Sequence, residues 1–318
     1  MRVCNLRTKA PVGFIWLLIT VSFVAGVVHS ENDTCLARRT LIAMSGTNEE
    51  PPKGLMAADF RVTVGGKAAS VQSATPADHP PRVMVLIDAS ANQDQSTWAA
   101  TEGLVDEFLA GFPGVADLTL ITFDDKVLQV VHETDRGALQ GRLGEMFPSG
   151  KRESDAGLGD AIKKANDSFG EPRGGDAEFL VTTSDQVSKE TVQALSQQRA
   201  AGVRLFGASF DQSTHPAPLP SDVYMTVESY SLLGAAAKAS GGLWVWFDKS
   251  RQDATASAQN ARAAGKRAAT VVRNYYILDL QLAKPLTKPE KLKIELAKSP
   301  RGDVKDSSFY PQDIFPCQ

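Results

Sequence analysis

The stretch "VMVLIDASAN", residues 83–92, sets five apolar residues, Val83 to Ile87, directly against Asp88, with Ser90 and Asn92 following at alternate positions. A carboxylate, a hydroxyl and an amide oxygen spaced two apart at the end of a buried run can ligate a hard divalent cation such as Mg²⁺, Mn²⁺ or Ca²⁺. A second such point is "EFLVTTSDQ", where another apolar run ends near Asp185. The competing reading gives Asp88 and Asp185 a structural task, capping helix N-termini and satisfying loop amides.

Two carboxylates nearly a hundred positions apart share a site only if the fold returns to the same place. From Arg82 to Phe247, short apolar runs alternate with longer amphipathic ones. "RVMVLID", "DLTLITF", "KVLQVVH", "EFLVTTSD", "VRLFGASF" and "LWVWF" read as strands. The segments from Ser96 (a plausible N-cap), around Arg136 to Met146, from Leu158 to Ser168, "SKETVQALSQQRAAG" and "SYSLLGAAAKAS" read as helices. Strands separated by helices imply an α/β fold with a doubly wound, Rossmann-like, mainly parallel sheet. If its order is 3-2-1-4-5-6, the strands ending at Asp88 and Asp185 are neighbours where the winding reverses, which is where such sheets bind ligands.

Here the chain resembles the von Willebrand factor type A (VWA) domain, on "DASAN" for its first metal-site element and "TTSDQ" for its third. It is most similar to the exported VWFA-related family common in Acidobacteria, through "GLMAADFRVTVGGKAASVQS", "AAAKASGGLWVWFD" and "VVRNYYILDLQL", over residues 54–311. The resemblance implies a metal-ion-dependent adhesion site built from Asp88, Ser90, Asn92 and Asp185, its cation keeping one position open for a carboxylate of a partner protein. Three departures make that site degenerate: Asn92 replaces the last Ser, Gln186 the following Gly, and Ala156 falls where a ligating Thr is expected. Ser154 or Asp155 stand nearby as substitutes.

Around the VWA-like segment, 81–250, the texture changes. Residues 31–80 contain a hairpin pattern at Gly65 and Gly66, 251–274 an alanine-rich helical run, and 275–318 further strands "YYILDLQL", "KLKIELAKS" and "SFYP". Both ends together predict a small β accessory layer. Cys35 and Cys317 would staple it by a disulfide, or else they are two unrelated thiols.

Residues 1–30 carry Arg2, Arg7 and Lys9 before "GFIWLLITVSFVAGVV", the pattern of a cleaved secretory signal; a retained membrane anchor is the other reading. Cleavage removes those three cations, taking the formal charge from -3 to -6. That excludes nucleic-acid binding, which needs concentrated positive charge, and it leaves no stable membrane span.

Catalytic patterns are weak. "GEMFPSGK" misspells a phosphate-binding loop, "GASFD" around Ser209 lacks the final Gly of a nucleophile elbow, and His79, His132 and His215, placed in loops or strand ends, are not spaced as paired ligands. "RGD" at 301–303 reads as a turn. The expectation is a non-enzymatic, extracytoplasmic binding module, periplasmic or secreted, that recognises a protein or envelope component. A metal-independent structural or assembly factor of the envelope is the second reading, and a hydrolase with an unrecognised site the third.

Overall fold

A computed structural model describes residues 35–44, 52–90, 93–148, 156–171, 173–183, 187–211, 231–248, 254–297 and 309–317. The signal segment, Asn92, Asp185, His215 and the RGD turn lie outside the described residues.

Six strands form the central sheet: β4 (Val83–Asp88), β5 (Val115–Phe123), β6 (Val127–Asp135), β7 (Ala177–Thr182), β8 (Arg204–Asp211) and β9 (Trp244–Asp248). Their order is β6-β5-β4-β7-β8-β9, which is 3-2-1-4-5-6. All pairings are parallel except β5 with β6, the hairpin expected at Asp124 and Asp125. The winding therefore reverses between β4 and β7.

Strand β4 is buried along its whole length because both its faces are covered. Val83, Val85 and Ile87 point to one face and pack with α1 (Gln95–Ala110), α2 (Arg136–Gly144) and α6 (Ala254–Arg273). Met84 and Leu86 point to the other, against α3 (Ala156–Phe169), α4 (Lys189–Ala200) and α5 (Leu232–Ser240). The strand's period of two thus divides one apolar run between two cores. Phe108 of α1 stacks on Phe179 of β7 with centroids 3.8 Å apart. Helix α6 crosses α1 at Gly265, where a Cβ would overlap the Leu104 carbonyl; the glycine that weakens the helical pattern is what lets the helices touch.

The N-cap of α1 is Asp94, not Ser96: Asp94 Oδ1 accepts from the Thr97 amide at 2.8 Å, and Ser96 Oγ itself donates to that carboxylate. His132 lies within β6 rather than at a strand end, where its Nδ1 meets Thr119 Oγ1 at 3.1 Å.

Both chain ends build a second, antiparallel six-stranded sheet. It contains β1 (Ala37–Ala43), β2 (Phe60–Val64), β3 (Lys67–Pro76), β10 (Tyr275–Gln281), β11 (Glu290–Leu296) and β12 (Asp313–Ile314), in the order β1-β10-β3-β2-β11-β12. Its own core holds Ile42, Val62, Tyr276, Leu278 and Ile294. Cys35 and Cys317 are joined by a disulfide, with Cα atoms 5.8 Å apart, which ties the start of β1 to the segment after β12. Of "SFYP", Phe309 makes a bridge to Ala43, and the short strand forms later, at Asp313–Ile314. Pro311 has no N–H to extend a ladder from Phe309.

Candidate functional site

Asp88 is the last residue of β4 and is fully buried. The backbone turns at once: the Ser90 amide donates to Asp88 Oδ1 at 3.0 Å. Asp88 Oδ2 accepts from the Thr183 amide at 3.0 Å and the Thr183 hydroxyl at 2.6 Å, with Thr182 Oγ1 at 3.5 Å. The carboxylate therefore ties the exit of β4 to the exit of β7 across the reversal point. Gln93 Nε2 donates to the Asp88 main-chain oxygen, and Gln93 is held by Thr101 Oγ1 at 3.0 Å, so α1 fixes the loop from behind.

Ser90 is also fully buried, and among the described residues its Oγ has no hydrogen-bond partner. A bare buried hydroxyl costs about 1–3 kcal/mol. Ser209, in register with Thr182 at the carboxyl end of β8, is a second buried hydroxyl of this kind. Small oxygens thus gather at one rim of the sheet, two of them unsatisfied.

Of the four predicted ligands, Asp88 and Ser90 are brought together at the predicted place, while Asn92 and Asp185 lie outside the described residues. Ala156 opens α3. Sequence reasoning passed over Thr182 and Thr183, although "TTSD" displays them two and three residues before Asp185. They are the residues that reach Asp88.

A hard cation wants an ionised carboxylate and neutral oxygens free of other duties. Ser90 Oγ meets that demand. Asp88 supplies the carboxylate: its Oδ1 takes the Ser90 amide, and its Oδ2 takes the Thr183 amide and hydroxyl within 3.0 Å. These residues fit a divalent ion held with water. Among the described residues no group of three or more His, Cys, Asp or Glu could hold a metal by itself.

No family model matches the sequence, and no curated protein matches it. The chain is similar to solved structures of low identity. One is a von Willebrand factor type A protein from Catenulispora acidiphila, 10% identical, covering 90% of this chain and 74% of that one, with a TM-score of 0.44. Another is an aerotolerance-related membrane protein from Bacteroides fragilis, 18% identical, covering 60% of this chain and 98% of that one, with a TM-score of 0.43. A third is proximal thread matrix protein 1 from the mussel byssus with a zinc-occupied MIDAS motif, 11% identical, covering 65% of this chain and 49% of that one, with a TM-score of 0.43. The central unit of this chain has a doubly wound, Rossmann-like α/β fold with an antiparallel edge strand, and the Asp88 to Ser90 turn stands at its reversal point.

Proposed function

We propose that this chain is a non-enzymatic, extracytoplasmic VWA-like binding module that recognises a protein or envelope component at the rim carrying Asp88 and Ser90. The observation that carries this reading is that Ser90, whose backbone amide holds the Asp88 carboxylate, keeps a buried hydroxyl without a hydrogen-bond partner among the described residues. A divalent cation held by these two oxygens and by Asn92 and Asp185 would supply a positive point for a partner's carboxylate. The protein's own part is to fix Asp88 through Thr183 and Gln93 and to hold Ser90 against it. The Cys35 to Cys317 disulfide supports an oxidising compartment, as does the signal pattern at residues 1–30. Among the described residues no helix is long and apolar enough to cross a membrane.

Thermal unfolding with and without saturating Mg²⁺ or Mn²⁺ tests the reading. Ligand at about 100 times its Kd adds about 2.7 kcal/mol, so the melting temperature rises by several degrees. Asp88→Ala lowers the metal-free melting point and abolishes the increment. Ser90→Ala, which deletes an unsatisfied hydroxyl, leaves the metal-free melting point equal or higher and still shrinks the increment. A wild-type curve unmoved by metal favours the second reading, a metal-independent structural factor, in which Asp88 serves to tie the Ser90 turn to Thr183 by hydrogen bonds.

A further inference from the structure

Strand β1 is an outer strand of its sheet, and among the described residues the C-terminal segment beside its free edge is linked to it by backbone pairing or covalent bond at two points. At one end Ala43 and Phe309 exchange both backbone hydrogen bonds, at 2.7 and 2.8 Å. At the other the Cys35 to Cys317 disulfide closes the pair. The two links fall in one antiparallel register, eight residues apart on each segment. Between them, among the described residues, no backbone hydrogen bond joins Ala37–Leu41 to residues 311–315. Pro311, opposite Leu41, has no N–H, and the Gln312 amide turns away to Ala239 O at 2.9 Å. Because Ala43 faces this seam, Leu41, Arg39 and Ala37 direct their backbone N–H and C=O groups there as well. Leu36, one step out of phase, faces β10 instead, accepting from the Leu282 amide.

A cavity of about 330 Å³ opens in the seam, with the C-terminal end of α4 as part of its wall, a size within the range of small-ligand sites, about 300–1,000 Å³. Its lining includes apolar Leu41, Ile277, Ile314 and Phe315 and, among the described residues, four arginines, Arg38, Arg39, Arg173 and Arg199, with one acidic residue, Asp313. Arg39 is paired with Asp279 at 2.9 Å, and Arg199 with Asp313. Arg38 reaches only the Ala37 carbonyl and the sulfur of Cys317, and its Nε and Nη2 have no hydrogen-bond partner. Arg173 is exposed, with no side-chain hydrogen bond or ion pair among the described residues. Two cations are therefore uncompensated, more than the partial negative charge of about half a unit at the end of α4 can offset.

We propose that this slot binds the C-terminal end of another polypeptide. Its last residues would lie extended along β1 and take backbone hydrogen bonds from Arg39 and Leu41. Its apolar side chains would fill the wall, and its terminal carboxylate would meet Arg38 and Arg173. A chain end is the occupant because the slot is shut at both ends along the strand direction, by the bridge and the disulfide, so a strand cannot run through it. The site is separate from the Asp88 rim and does not depend on a metal there.

The test uses the oxidised full chain, titrated with a pool of acetylated tripeptides of mixed apolar residues carrying a free C-terminal carboxylate, with the same pool amidated at the C-terminus, and with acetate alone. Calorimetry reads affinity, and the amide resonances of Arg39 and Leu41 read place. The acid pool binds saturably and shifts those two amides, and the amidated pool binds at least about tenfold more weakly, the loss expected for one charge-assisted contact. Arg173→Glu, at an exposed residue that holds nothing else together, weakens the acid pool by a similar factor without moving the melting curve. Equal binding of the two pools, no binding of the acid pool, or binding unchanged by Arg173→Glu overturns the proposal. Acetate binding as tightly as the acid pool reduces the slot to a small-anion site and overturns the peptide assignment.

Discussion

The two ends of the parallel sheet carry opposite kinds of polar residue. At the carboxyl ends of β4, β7 and β8 stand Asp88, Ser90, Thr182, Thr183 and Ser209, mostly small hydroxyls, two of them buried and bare. At the amino ends of the same strands stand larger charged groups, Arg82, Asp176, Glu178 and Arg204, and the arginines are engaged by the chain itself. Arg82 forks onto Asp176 at 2.6 and 3.0 Å and also donates to the Phe169 and Glu171 carbonyls. Arg204, fully buried, donates to the carbonyls of Gly175 and Val272 at 3.0 and 2.8 Å and to Val271 at 3.4 Å, and lies over the rings of Phe206 and Tyr275. It thereby fastens β8 to the last turn of α6, just before the chain enters the antiparallel sheet. One rim leaves small hydroxyls unspent; at the other the two arginines are spent on support, while the buried Glu178 carboxyl has no hydrogen-bond partner among the described residues.

If that contrast is right, the largest effect comes from the supporting rim. Arg204→Met leaves three carbonyls without their donor and should cost about 3–5 kcal/mol, read as a lower urea midpoint; a loss below about 1 kcal/mol would erase the contrast. Burial pushes the Arg204 pKa down to about 10, still well above neutrality, so the contribution holds at physiological pH. Replacing Cys317 by Ser releases the seam of the antiparallel sheet and should cost about 2–4 kcal/mol, an effect that reductant reproduces in the wild type and leaves unchanged in the variant.

Glu178 sharpens the comparison through pH. Its complete burial holds the carboxyl well above the usual carboxylate range. A raised folded pKa means that the contribution is whole below the unfolded value, about 4.3, and is lost as pH rises through the folded one. The wild type should therefore lose stability toward alkaline pH, and Glu178→Gln should flatten that slope and unfold later at high pH. Parallel slopes in the two proteins would place the titrating group elsewhere.

What the sequence disclosed follows the same division. The run from Val83 to Ile87 is apolar because both its faces are covered, so its sudden end at Asp88 marks the rim without any coordinates. The alternation of strands and helices carried the winding order, and the double-glycine hairpin carried β2 and β3. Strand β1 was not read, since Arg38 and Arg39 interrupt its apolar alternation and its burial depends on partners more than two hundred residues away. Arg204 passed as an ordinary strand residue, because only the carbonyls at the end of α6 make a buried guanidinium tolerable there. Thr182 and Thr183 were in plain view, but a hydroxyl that ends a strand has no distinguishing pattern until the carboxylate opposite is known. The choice of Asp94 over Ser96 as cap rests on one residue of register, which two good capping residues so close together do not decide.

The most direct measurement is a crystal of the full chain soaked in Mn²⁺, with an anomalous difference map at the rim. The account predicts a peak within coordination distance of Ser90 Oγ and Asp88 Oδ1, absent from crystals of Ser90→Ala. An empty map at the rim, with the Ser90 hydroxyl still bare beside no ion, would contradict it.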